Sequence, residues 1–183
     1  MKYFLFLILT FFFFSCKGPE ARYPKKRKTG SFIKASAERN KKLLAEEEKL
    51  IQEIILKDST HSYQLSASGS WYYYDTRIAD DNPLPQTDDL VTLTYNLRSF
   101  DNDTIYTSDV IGTFTYKVDK QELFPGLRNS IKLLKEKEKA TFLFPSSMGY
   151  GYHGDAKKIG INIPLKATIE ILKIEKQKDS IQN

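Results

Sequence analysis

Pro125-Gly126-Leu127-Arg128-Asn129-Ser130-Ile131 is the stretch on which the fold turns. Proline has no backbone N–H to lose and suits the first turn of a helix, and Leu127, Ile131 and Leu134 then recur at i, i+4 and i+7 on one face. This helix is short, and the sequence on both sides of it has a period of two. Upstream, residues 70–78 (Ser-Trp-Tyr-Tyr-Tyr-Asp-Thr-Arg-Ile) are rich in strand formers, and Val91, Leu93, Tyr95 and Leu97 alternate with Thr92, Thr94 and Asn96. Between them Asp80-Asp81-Asn82-Pro83-Leu84-Pro85 is loop chemistry, since two prolines exclude a central strand. Further strands are expected at 103–107, 113–119, 138–145 and 165–175. In the last two, Ala140, Phe142 and Phe144 share one face, and Leu165, Ala167, Ile169 and Ile171 share another. Strands enclosing one helix predict an α+β fold, an antiparallel half-barrel wrapped on that helix over residues 68–175.

Ahead of this domain the period is helical. Leu43, Leu44, Leu50, Ile51, Ile54 and Ile55 recur among Lys and Glu, which predicts an amphipathic helix over 36–59. Its stripe must bury against the domain or against the same helix in a second copy, a homodimer through residues 36–59. It is too short for sustained heptads, which favours the intramolecular choice.

The N-terminus reads as an export signal. Lys2 precedes an apolar run from Tyr3 to Phe14, shorter than the ~20 residues a membrane-spanning helix needs, and Ser15-Cys16 ends it. Phe13-Phe14-Ser15-Cys16 resembles the lipobox of bacterial lipoproteins, which implies cleavage after residue 15 and lipidation of Cys16. From Cys16 to residue 35, Gly18, Pro19, Pro24 and Gly30 interrupt a basic stretch with no hydrophobic period, the pattern of a flexible tether. An acyl chain beside such a stretch holds a protein to an anionic membrane surface, here in the cell envelope facing the periplasm. Residues 176–183 are a polar tail.

Composition narrows the chemistry. The 183 residues hold one Cys and two His, His61 and His153, which excludes a disulfide framework, a Cys/His zinc cluster and a Cys–His nucleophile pair. Asp155 and Glu122 stand as isolated carboxylates, so a glycosidase-like pair is unsupported. The formal net charge is +5, but Lys17, Arg22, Lys25, Lys26, Arg27 and Lys28 supply it, and the rest is nearly neutral. A nucleic-acid-binding domain needs its cations on the domain itself, so none is expected here.

The order of motifs over residues 68–175 resembles the FKBP-type peptidyl-prolyl cis-trans isomerases. Lys120-Gln121-Glu122-Leu123-Phe124-Pro125-Gly126-Leu127 is similar to that family's strand-to-helix entry, with Leu127 at the pocket-floor position usually held by Trp. Pro145 followed by Met148-Gly149-Tyr150-Gly151 resembles its P-x-x-x-x-Y-G segment, and Tyr150 falls on the Tyr whose hydroxyl meets the substrate carbonyl. Val91 to Tyr95 resembles the V-x-x-x-Y strand, which puts Tyr95 on the pocket wall, and Asp103 to Ser108 stands where the family usually reads G-x-x-F-D-S. Phe114 fits a pocket aromatic and Ile159 the loop aliphatic. Tyr106 stands for the usual Phe, Thr107 for the usual Asp, Ala167 for the Phe of the last strand, and no Arg lies between Ser108 and Phe114. The whole arrangement, with Met148-Gly149-Tyr150-Gly151-Tyr152-His153-Gly154-Asp155, resembles the gliding-motility-associated lipoprotein isomerases of Bacteroidetes.

The resemblance implies a pocket of Tyr95, Tyr106, Phe114, Leu123, Phe124, Leu127, Tyr150 and Ile159 acting on proline-containing exported polypeptides, with no cofactor and no metal. Chemistry agrees. An amide resists rotation by ~18–20 kcal/mol because twisting costs its resonance, and no proton need move. An apolar pocket disfavours the planar, dipolar amide more than the twisted one, and a hydroxyl can orient its carbonyl. A binding or chaperone module on the same fold, with weak turnover, is the other class of function the sequence admits.

Overall fold

A computed structural model describes residues 29–177. The export signal at 1–15, Cys16, the tether as far as Lys28 and residues 178–183 of the tail lie outside the described residues. The chain divides into two compact units, Met1–Ser36 and Ala37–Asn183. Of the first, the described residues 29–36 are helical.

Helix α1 runs Thr29–Lys57, starting ahead of the expected Ser36. Pro24 is the last proline before it, so nothing in the backbone forbids the earlier start. Within the second unit Ile51 is fully buried and Leu43, Ile54 and Ile55 half-buried, whereas Leu44 and Leu50 face solvent. The expected stripe is therefore split. Glu47, one turn from both Leu43 and Ile51, takes the buried position instead and is 4% exposed. Its Oε2 accepts the Ser146 N–H at 2.9 Å.

Seven strands follow: β1 (Gln64–Leu65), β2 (Trp71–Thr76), β3 (Leu90–Arg98), β4 (Thr104–Tyr106), β5 (Phe114–Lys117), β6 (Lys139–Phe144) and β7 (Leu165–Glu175). All pairings are antiparallel, in the order β1-β2-β6-β7-β3-β4, with β5 also on β3. β3 and β7 are paired from Leu90↔Glu175 to Arg98↔Lys166, which makes them the spine of the sheet. Alternation behaves as the sequence predicts: Val91, Leu93 and Leu97 are buried between outward Thr92, Thr94 and Asn96.

Three short elements have no period to announce them: β1, helix α2 (Ser108–Ile111) and the 3₁₀ turn Ser146–Met148. The helix on which the sheet wraps, α3 (Pro125–Ile131), ends earlier than the Leu127–Ile131–Leu134 spacing suggests. The Leu133 and Leu134 amides bond to Ser130 and Ile131 carbonyls, tightening the end of the helix into i→i+3 turns, and Leu134 is still fully buried. A Cβ on Gly126 would lie 2.8 Å from both the Met148 carbonyl oxygen and the Phe144 ring, so glycine lets the first turn of α3 press onto the end of β6. Leu127, Ile131 and Leu134 complete one core with Val91, Leu93, Leu97, Phe142, Phe144, Ile169 and Ile171.

Past β7 the chain is fastened. Buried Asp89 receives Lys176 Nζ at 2.8 Å and the Gln177 N–H at 3.1 Å, so these two residues of the expected tail are tied to the domain.

Candidate active site

The period of two carries Tyr95 to the same face of β3 as Val91 and Leu93, and β5 opens with Phe114 paired to Leu93. Phe124 caps α3 in an extended conformation (φ −61°, ψ 147°), which turns its ring across the mouth of the sheet. Tyr150 follows the 3₁₀ turn, where the Gly149 and Gly151 amides both bond to the Ser146 carbonyl, at 3.0 and 2.9 Å.

These four rings meet. Tyr95 lies 6.0 Å from Phe114 and 6.2 Å from Phe124, both edge-on, and Phe124 lies 5.2 Å from Tyr150 and 5.9 Å from core Phe144. Edge-to-face geometry at these separations is favourable in itself, so the rings hold one another in place. All four are half-buried, with one side on the core and one reaching solvent. Leu123 is half-buried beside them. Leu127 is fully buried and Ile159 is 4% exposed, so they form the packed floor and wall behind the rings. Ala167 is fully buried in β7, opposite Leu97 and Phe142.

Hydroxyl chemistry overlies this apolar base. Burial pushes the Tyr95 hydroxyl well above its ordinary range, reinforced by the neighbouring Tyr150. Burial raises Tyr150 as well, with the nearby Asp155 charge acting in the same direction. Both phenols therefore stay protonated at neutral pH, and neither can serve as a base.

Tyr106, at the end of β4, donates to Asp155 Oδ2 at 2.5 Å. This bond raises the Tyr106 hydroxyl, and Lys158 Nζ lies 5.1 Å over the ring. Asp155 was expected to stand alone, and it does not: Oδ1 also accepts the Lys157 and Ile159 amides at 2.9 and 2.7 Å. Burial alone would raise its carboxyl, but the Tyr106 bond and the amides outweigh burial and hold it below the usual range. The loop closes tightly, with the Asp155 N–H on the Ile159 carbonyl and the Asn162 N–H on that of Gly151. At Gly154 (φ +66°) a Cβ would strike the Ile159 carbonyl oxygen, so that position needs glycine.

Sequence reasoning missed Asp155, because the partner lies 49 positions away and no local spacing links them. It missed Glu47 for the same reason. Thr107 caps α2, its Oγ1 accepting the Val110 N–H at 3.3 Å. His153 is exposed beside Tyr152. Among the described residues no group of three His, Cys, Asp or Glu side chains could hold a metal ion.

Two hollows lie elsewhere. One, of about 550 Å³, is lined by Tyr74, Arg77, Leu84 and Glu138; another, of about 870 Å³, by Leu50, Ile54, Phe100 and Ile163. Neither shares a lining residue with the aromatic cluster.

Residues 82–172 match the family model of the FKBP-type peptidyl-prolyl cis-trans isomerases. Over 122 residues the chain is 29% identical to a probable FKBP-type peptidyl-prolyl cis-trans isomerase, FkpA, of Neisseria meningitidis serogroup B, which takes in 67% of this chain and 44% of that protein. The chain thus spans less than half the length of this curated relative. Among solved structures, FkpA from Escherichia coli superposes with a TM-score of 0.58 at 19% identity, over 96% of this chain and 82% of that one. A peptidyl-prolyl cis-trans isomerase from Pseudomonas syringae pv. tomato gives 0.58 at 18% identity, over 74% of this chain and 96% of that one. At these identities the structural likeness speaks for the fold.

Proposed function

We propose that the protein accelerates rotation about X-Pro bonds, a reading supported by the match of residues 82–172 to the family model of the FKBP-type peptidyl-prolyl cis-trans isomerases. The observation that carries this reading is the half-open ring of Tyr95, Phe114, Phe124 and Tyr150 over a dry floor of Leu127 and Ile159. A proline ring seats on the aromatic faces, and the amide beside it leaves water. Losing hydration raises the planar, resonance-stabilised amide more than the twisted one, so the difference lowers the barrier. Each tenfold of acceleration requires about 1.4 kcal/mol of that difference. Tyr150 donates to the substrate carbonyl and fixes which way the amide turns.

The setting follows from the N-terminus. The reading of Phe13-Phe14-Ser15-Cys16 as a lipobox supports a lipid anchor at Cys16, with the basic residues from Lys17 to Lys28 against anionic headgroups. The clients are then proline-containing exported polypeptides in the periplasm, among them the gliding or secretion machinery whose isomerases this arrangement resembles. Exposed Leu44 and Leu50 on α1 give a second copy an apolar surface to meet. The binding-module reading has one observation in its favour: Tyr152 and Ile161, in the loop that carries Tyr150, are 73% and 63% exposed, which suits capture of an unfolded chain. Refolding of a protein limited by a slow prolyl step tests both at once. An isomerase shortens the slow phase at catalytic concentration, and a holding module does so at no concentration.

A further inference from the structure

Three phenols converge on the site, and each has one proton to give. Tyr95 and Tyr150 lie on either side of Phe124, their rings 6.2 and 5.2 Å from its own. Tyr106 gives its proton to Asp155 Oδ2 at 2.5 Å. The Tyr106 hydroxyl reaches Asp155 in the loop that carries Tyr150, and both rings pack on the same core, so an unengaged Tyr106 hydroxyl would stand at the same mouth as the hydroxyl meant for the substrate. The carboxylate that engages it is rigidly built: Oδ1 is fixed by the Lys157 and Ile159 amides, and the Asp155 N–H by the Ile159 carbonyl. Lys158 covers the Tyr106 ring and also donates to the Ile105 carbonyl at 3.2 Å, which keeps β4 and the loop together.

We infer that Asp155 is a positioning residue that takes up the Tyr106 proton and so leaves Tyr150 as the hydroxyl that meets the substrate carbonyl. The inference rests on the isomerase reading above and adds a specificity element to it. Without the carboxylate, Tyr106 competes for the carbonyl and holds a share of the substrate in a pose from which rotation is not assisted. Such non-productive binding has a kinetic signature, since it tightens ground-state binding without touching the productive route. Both kcat and KM fall by the same factor, and kcat/KM is unchanged.

Asp155→Asn in the full chain is the informative change, because its amide oxygen can still accept the Lys157 and Ile159 N–H groups while its NH₂ turns Tyr106 from donor into acceptor and frees the phenol proton. For a prolyl peptide followed by NMR exchange, kcat and KM should both fall about fivefold. Tyr106→Phe sets the baseline without the competing phenol proton, and Asp155→Asn in that background should match Tyr106→Phe alone in both kcat and KM. Amide-proton exchange at Ile159 reports whether the loop stays closed, and protection should match the wild type.

A drop in kcat/KM for Asp155→Asn with Ile159 still protected would overturn the inference, as would a double variant no better than Asp155→Asn alone. If Ile159 loses protection, Asp155→Glu in the Tyr106→Phe background replaces it, and lost turnover there would assign Asp155 to loop stability and overturn the inference too. A wild type that binds the peptide without turnover would refute the isomerase reading. The inference would then stand or fall on whether Asp155→Asn binds the peptide more tightly and the double variant reverses it. A wild type that neither binds nor turns over would overturn both.

Discussion

Glu47→Ala should loosen the junction between α1 and the loop that carries Tyr150, and the size of the effect can be worked out. Glu47 is 4% exposed and Ser146 2%, so the Ser146 N–H at 2.9 Å from Glu47 Oε2 has no water to fall back on. Leaving a buried donor unsatisfied costs about 1–3 kcal/mol. Two terms act the other way. Glu47 Oε1 is buried without a partner among the described residues, so truncation relieves some desolvation, and alanine is the better helix former by a few tenths of a kcal/mol. The net loss should be about 1.5 kcal/mol. Urea unfolding followed by Trp71 fluorescence measures it, with Glu48→Ala on the exposed side as control; that change should stay within about 0.5 kcal/mol. The m-value should not move. Because the Ser146 carbonyl anchors the Gly149 and Gly151 amides, exchange broadening at those two glycines should accompany the loss. A Glu47→Ala midpoint equal to that of Glu48→Ala would refute the claim that this bond fastens α1 to the site.

Phe142 is fully buried and stacked 5.0 Å from Tyr72 and 5.7 Å from Phe144, so Phe142→Ala should cost about 3–5 kcal/mol in a urea titration. Gly154→Ala meets both a φ of +66° and the Ile159 carbonyl, and should reduce turnover of a prolyl peptide while lowering the unfolding free energy by about 1–2 kcal/mol, because the strain is local to the loop. Asp89 gives a pH dependence. Burial would raise its carboxyl, but Lys176 and the Gln86 and Gln177 amides outweigh burial and lower it from the ordinary 3.8. A depressed folded value means stabilisation that is full above the unfolded value and is lost as pH falls through the folded one. Asp89→Asn should therefore be less stable than the wild type at neutral pH, with the gap in urea midpoints closing below about pH 4.

How much of this was legible depended on whether a signal was periodic. β3 and β7 were readable because half-burial imposes alternation over nine and eleven residues, as in Val91–Leu93–Tyr95–Leu97. The α3 entry was readable from Pro125, since proline at a helix start has a local cause. β1, at two residues, and α2, at four, are too short for any period to show. The amphipathic stripe of α1 was misread at Leu44 and Leu50 because the helix buries a carboxylate, Glu47, where an apolar residue was expected, and its partner lies 99 positions away. At the site, Tyr95, Phe114, Phe124 and Tyr150 come together as expected. Leu127 is fully buried in the core and contributes no exposed surface. Asp155 could not be found by spacing: its bond to Tyr106 joins β4 to the β6–β7 loop, and only the closed sheet brings them within reach.

The central claim is that the aromatic ring over the sheet lowers the barrier to prolyl rotation, and the cis-trans exchange rate of a short Xaa-Pro peptide measured by NMR with the full chain tests it most directly. The account predicts acceleration by the wild type and loss of about tenfold or more in Phe114→Ala, with the amide spectrum away from β5 unchanged. A well-folded wild type that leaves the exchange rate at its uncatalysed value would contradict it.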